Sequence, residues 1–158
     1  MSNRVRFVGL AVLVMALVLA GLVAAGSSRG AAGSAARLSV RSTEFGKALF
    51  GPTGKVLYVF GADHGAKSSC YGVCAAAWPP LLTTAAPLAG AGVEAKLLGM
   101  TKRKDGRLQV TYNGHPLYYY SADKIGKVMC QHANMHGGVW LIVKPNGQPN
   151  MAKGKMHM

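Results

Sequence analysis

Two aspartates and one thiol-bearing segment are the residues here whose types and spacing could do chemistry. Asp63 closes the phrase "LYVFGAD" at residues 57–63, and Asp123 closes "LYYYSAD" at residues 117–123. Paired carboxylates serve as general acid and base when one has a raised pKa and both face a cleft. An aspartate just after a strand has a plainer use. It accepts backbone N–H groups in an Asx-turn, or takes the hydroxyl of a nearby tyrosine. The motif Tyr58, Phe60, Asp63 and Tyr118, Tyr120, Asp123 therefore reads as scaffold, with acid–base pairing of the two aspartates as the sharper alternative.

The second segment is "MCQHANMH", residues 129–136, and a tail adds Met151, Met156, His157 and Met158. Thiolate, thioether and imidazole are ligands that select copper. Cys130, His132, Met135 and His136 are thus candidate copper ligands. Cys130 and His132 share a face only if their segment is extended, because strand side chains alternate. The competing reading packs Met129 and Met135 in a core. No second cysteine pair supports zinc, and no Cys-x-x-Cys-His supports haem attachment. Gly26-Ser-Ser-Arg-Gly30 matches a hydrolase nucleophile pattern, but it lies in a linker rather than on a strand-to-helix elbow, so it carries no activity.

These residues must be positioned by a repeat. Between residues 46–70 and 106–130, eight positions are identical at a spacing of 60, without a gap: Gly46/Gly106, Gly54/Gly114, Leu57/Leu117, Tyr58/Tyr118, Ala62/Ala122, Asp63/Asp123, Lys67/Lys127 and Cys70/Cys130. An internal duplication accounts for this. Each copy reads as strand, tight turn, strand, turn. Asn113-Gly114 between "RLQVTY" and "HPLYYY" is a hairpin signal, since both turn residues need positive φ. "GPTG" at residues 51–54 is the looser counterpart, and "VWLIV" at 139–143 is a further strand. A short helix near Cys74–Trp78 is the one exception. The fold class is mostly β: a small single domain of two tandem β-hairpin repeats with pseudo-two-fold symmetry, about 40–99 and 100–149.

Around that domain, residues 1–26 read as a signal peptide or signal anchor. Arg4 and Arg6 precede an uncharged apolar run from Phe7 to Gly26, with Val23 and Ala25 suited to a cut after Ala25. Residues 27–37 read as a flexible linker, 38–149 as the two-repeat domain, and 150–158 as a Met/His-rich disordered tail. The protein is expected on the extracytoplasmic side, secreted or held to the membrane through an uncleaved leader. No cysteine precedes Cys70, so lipidation at a lipobox is excluded. The chain carries 18 basic and 5 acidic residues, net +13, or +11 without the leader arginines. Such a surface is drawn to anionic lipid or wall polymer, while nucleic acid lies in the wrong compartment.

"GKVLYVFGADHGAKSSCYGVCAAAWPPLL" and "DGRLQVTYNGHPLYYYSAD…GGVWLIVKPNG" resemble the bacterial "secreted repeat of unknown function" family, whose members include predicted lipoproteins. The resemblance spans about Leu38 to Gly147 and implies an envelope location and little chemistry, because the family has no established activity. This chain departs from the many relatives that carry a lipobox cysteine.

Export implies an oxidising compartment and hence a disulfide. Cys70 and Cys74 are four apart, too distant on a helix to bridge, but a turn through Gly72 brings them close. A Cys70–Cys74 loop would pin Trp78-Pro79-Pro80 and leave Cys130 free. A Cys70–Cys130 bridge between the copies is the rival. The functional expectation is a structural or interaction module of the envelope, with an extracytoplasmic copper or redox protein as the alternative and a secreted enzyme as the weakest class.

Overall fold

A computed structural model describes residues 34–153. The leader at 1–26, most of the linker and tail residues 154–158 lie outside the described residues. Among those described, no helix is long and apolar enough to cross a membrane.

The first copy opens with β1 (Arg37–Thr43) and β2 (Gly46–Phe50), an antiparallel hairpin, followed by β3 (Tyr58–Phe60). Next come α1 (Val73–Ala77), β4 (Leu82–Thr83) and β5 (Leu88–Ala89). The second copy repeats the hairpin as β6 (Leu98–Lys102) and β7 (Leu108–Tyr112), then β8 (His115–Pro116), β9 (Ala133–Met135) and β10 (Gly138–Ile142). The sheets run β2-β1-β5, β3-β10-β9 and β4-β7-β6, with β8 on β7. The mostly β reading holds, with α1 near the expected place.

The two copies exchange their last strands. β10, from the second copy, pairs with β3 of the first: Trp140 opposite Phe60 and Ile142 opposite Tyr58. Reciprocally, Ala77–Leu81 of the first copy lies along Leu117–Ser121 of the second. Ser121 N–H donates to Ala77 C=O at 2.9 Å, and Leu81 N–H to Leu117 C=O at 2.8 Å. At the centre Tyr58 and Tyr118 exchange both backbone hydrogen bonds at 2.9 Å, which places the pseudo-two-fold between them. Neither repeat is a closed unit, so the "tandem hairpins" are interlocked.

Alternation along the motif strands then builds two cores. Tyr58, Phe60, Tyr118, Trp78, Trp140 and Ile142 fill one side. Leu57, Val59, Leu117, Leu141, Val143 and Leu49 fill the other. Both faces of β3 are buried, so the strand is apolar throughout instead of alternating with polar residues.

Several boundaries shift. Ala36 is buried and β1 starts at Arg37, so the end of the expected linker is already domain. At the other end Asn150 is buried, and its side chain donates to Phe45 C=O at 2.8 Å. Gln131 Nε2 reaches Ala152 C=O at 2.9 Å, so the ordered domain extends past 149 into the expected tail. The second copy begins at β6, Leu98.

The gapless spacing of 60 also fails locally. Leu57 N–H donates to Leu49 C=O, but Leu117 N–H donates to Val110 C=O, an offset of 61 in the hairpin strands. The cause is turn length. Five residues separate the bridged Phe50 and Val56, and four separate Thr111 from Pro116. Gly46 and Gly106 are therefore identical in sequence without being equivalent in the hairpin.

Candidate functional site

The motif residues meet across the pseudo-two-fold. Tyr58 Oη donates to Asp123 Oδ2 at 2.9 Å, and Tyr118 Oη donates to Asp63 Oδ2 at 2.8 Å. Each copy's tyrosine thus serves the other copy's aspartate. The remaining carboxylate oxygens close local turns: Asp63 Oδ1 accepts Ser69 N–H at 2.8 Å and its hydroxyl at 2.9 Å, and Asp123 Oδ1 accepts Met129 N–H at 2.9 Å. The aspartates do not act on each other. The tyrosine hydroxyl occurs at each site as one of the two expected uses, whereas the backbone N–H bound by each aspartate lies six residues on, so a longer loop closure stands where an Asx-turn was expected.

Their electrostatics differ. Burial pushes Asp123 up to about 6, against the lowering pull of its hydrogen bonds and Lys55. Asp63 is also raised by burial, but its hydrogen bonds and the buried Arg103 hold it back. Burial and the facing carboxylates drive both Tyr58 and Tyr118 well above the ordinary phenol range. Each phenol therefore remains a proton donor to its carboxylate.

Arg103 is a residue that sequence reasoning missed. It sits in the run Lys102-Arg103-Lys104, yet it is buried while both neighbours are exposed. Its guanidinium donates to Ser68 Oγ at 2.9 Å, to Cys70 C=O at 2.7 Å and to Gln109 Oε1. The Ser68 hydroxyl in turn meets Tyr118 Oη at 2.7 Å. Arg103 Nε has Asp105 at 3.6 Å, an ion pair too long to be a hydrogen bond, and the guanidinium lies 4.3 Å from the Tyr71 ring centroid. No signal in the sequence separates it from its exposed neighbours.

Four rings stack through the first core. Phe60 lies on Trp140 (4.1 Å, 10°), Trp140 on Trp78 (3.9 Å, 4°), and Trp78 on Tyr120 (4.5 Å, 33°). The column obeys the same pseudo-two-fold: Phe60 answers Tyr120, and Trp140 answers Trp78.

Cys70 and Cys74 form a disulfide, with Gly72 at φ 56° turning the chain between them. Cys130 is a free, buried thiol, raised by burial and by Asp123. The rest of "MCQHANMH" diverges from it. Gln131 and His132 form a turn with His132 at φ 60°, so the extended geometry that would align Cys130 with His132 is absent. Met135 is half-buried against the first core. His136 is exposed and forms, with Gly137, the turn between β9 and β10, both at positive φ. Among the described residues no three His, Cys, Asp or Glu side chains stand together as a metal site.

A family model described as "secreted repeat of unknown function" matches residues 39–82 and 99–144, one match per copy. No curated protein and no solved structure matches the chain.

Proposed function

The chain belongs to the family of secreted repeats of unknown function, and from that premise we propose that it works outside the cytoplasm as a non-catalytic interaction module for anionic envelope material. One observation carries the reading: four of the five side-chain carboxylates are spent elsewhere, and the fifth, Glu44, pairs with none of the exposed cations. Asp63 and Asp123 are committed to tyrosines. Glu94 pairs with Lys96 at 3.4 Å, and Asp105 with Arg103 and Arg107. Among the described residues this leaves Arg37, Arg41, Lys47, Lys67, Lys102, Lys104, Lys124 and Lys127 exposed with no carboxylate within 4 Å. Their summed field favours anionic surfaces and polymers. The motif residues support the non-catalytic half of the reading. Tyr58 and Tyr118 are fully buried and Asp123 is 3% exposed, so a substrate has no path to them without local opening.

The test is co-sedimentation of the full-length protein with isolated anionic wall polymer and, separately, with anionic vesicles. Binding should weaken at least tenfold as the Debye length falls from about 30 Å to about 8 Å between 0.01 and 0.15 M salt. Failure to bind either material at low salt refutes the proposal.

A further inference from the structure

The duplication supplies its own control for surface residues. The turn after Asp63 is His64-Gly65-Ala66-Lys67, and the turn after Asp123 is Lys124-Ile125-Gly126-Lys127. The same bond closes both, Lys67 N–H donating to His64 C=O and Lys127 N–H to Lys124 C=O, each at 3.1 Å, although the positive-φ glycine is the second residue of the first turn, Gly65, and the third of the other, Gly126. The first copy makes this turn with glycine and alanine. The second places at its tip an isoleucine that is 70% exposed. The turn itself does not require that side chain.

Cations surround it. Lys124 and Lys127 flank it in the turn, and both are exposed. Gly126 N–H donates to Gly54 C=O at 3.0 Å, docking the tip on the first copy's hairpin turn. A Cβ on Gly54 would stand 3.1 Å from Ile125 Cγ2 and 3.7 Å from Arg41 Nη1, so the Arg41 guanidinium shares that ledge. Lys55 Nζ donates to Ser121 C=O at 3.1 Å on the same side. Glu44, near enough to raise Asp123, is the exposed carboxylate nearby and forms no ion pair with these cations.

We infer that this tip docks on an anionic phospholipid bilayer, with Ile125 entering the interface and Arg41, Lys55, Lys124 and Lys127 on the headgroups. The inference rests on the proposed function and narrows it to lipid. A hydrated polymer offers cations a partner but gives an exposed isoleucine nothing to enter. A bilayer rewards both, through apolar burial and attraction of basic groups to its surface.

The experiment places an environment-sensitive dye on full-length protein carrying Ile125→Cys, with Ala66→Cys, next to the sequence counterpart Gly65, as the comparison site in the other copy's turn. Cys130 is buried and does not compete in the folded state. The probes are vesicles of phosphatidylcholine with phosphatidylglycerol, vesicles of phosphatidylcholine alone, and a soluble polyphosphate. A blue shift at position 125 but not 66, on the anionic vesicles only, is expected. In the unlabelled chain, Ile125→Glu should weaken anionic-vesicle binding about tenfold, and Lys124→Ala should weaken its salt-sensitive part about fivefold. Neither should move the thermal midpoint appreciably. Equal shifts at 66 and 125 overturn the assignment of this face. Polyphosphate binding without vesicle binding overturns the lipid inference and spares the wider reading, and binding to neither sinks both.

Discussion

The Tyr58 hydroxyl lies 2.9 Å from Asp123 Oδ2, across 65 positions of chain and in the other copy of the repeat. Tyr118 and Asp63 reproduce the contact at 2.8 Å. This is why the phrase occurs twice. A single copy has a buried phenol without its carboxylate and a carboxylate without its phenol, so the motif is complete only as a pair.

Tyr58→Phe should destabilise the fold by about 1–3 kcal/mol, because Asp123 Oδ2 keeps its buried position and loses its donor. The decisive measurement is a double-mutant cycle by urea unfolding. Tyr58→Phe with Asp123→Asn should cost less than the two single changes together, with a coupling of at least about 0.5 kcal/mol. Tyr58→Phe with Asp63→Asn should lie closer to additivity. A first cycle that is simply additive would remove the reciprocal contact as the reason for the repeat.

The raised pKa of Asp123 gives stability a sign with pH. In the unfolded chain its carboxyl ionises near 3.9, and in the fold near 6. Between those values the folded state holds the extra proton, so stability falls as pH rises from about 4 to about 6 and then levels. Asp63, raised in the same direction, contributes with the same sign. The full effect of Asp123 is at most about 3 kcal/mol, from two pKa units at 1.36 kcal/mol each. Urea midpoints across this range should show the slope in the parent and a shallower one in Asp123→Asn. An unchanged slope in the variant would mean that Asp123 titrates normally in the fold.

Trp78 and Trp140 lie with ring centroids 3.9 Å apart and planes 4° apart, close enough for their electronic transitions to couple. Their circular dichroism should therefore contain a couplet belonging to the pair. Trp78→Phe and Trp140→Phe should each abolish it entirely, where independent indoles would each remove only their own share. Each substitution also opens a void in the stack, at a cost of up to about 3 kcal/mol.

The phrase itself was legible, because the spacing of 60 holds from Leu57 to Cys130 and strand alternation assigns Tyr58 and Phe60 to one face. The equivalence of Trp78 and Trp140 was not. It sits at a spacing of 62, after the first copy has turned a helix, Val73–Ala77, where the second forms the β9–β10 hairpin. The strand exchange left no local mark either, since pairing of β10 with β3 depends on contacts some 80 residues apart. In "MCQHANMH" side-chain chemistry suggested a metal, while backbone geometry gives His136 another task. With Gly137 it forms a hairpin turn, as Asn113 does with Gly114.

Thiol accounting tests the remaining covalent feature. With Cys70 bonded to Cys74, one free thiol per chain, Cys130, should react with a thiol reagent under non-reducing conditions. It should react only after unfolding, because the native thiol is buried and its pKa is raised, which depletes the thiolate. Reducing the disulfide frees a loop of about five residues, for which chain entropy gives a loss of about 2 kcal/mol. The urea midpoint should therefore fall on reduction without loss of the fold, since α1 and the Ala77–Leu81 segment stay held by hydrogen bonds to the second copy. A peptide map that joins Cys130 to either partner, or three reactive thiols in the unreduced chain, would contradict the pairing. In the first case the two copies would be tied covalently as well as through Tyr58 and Asp123.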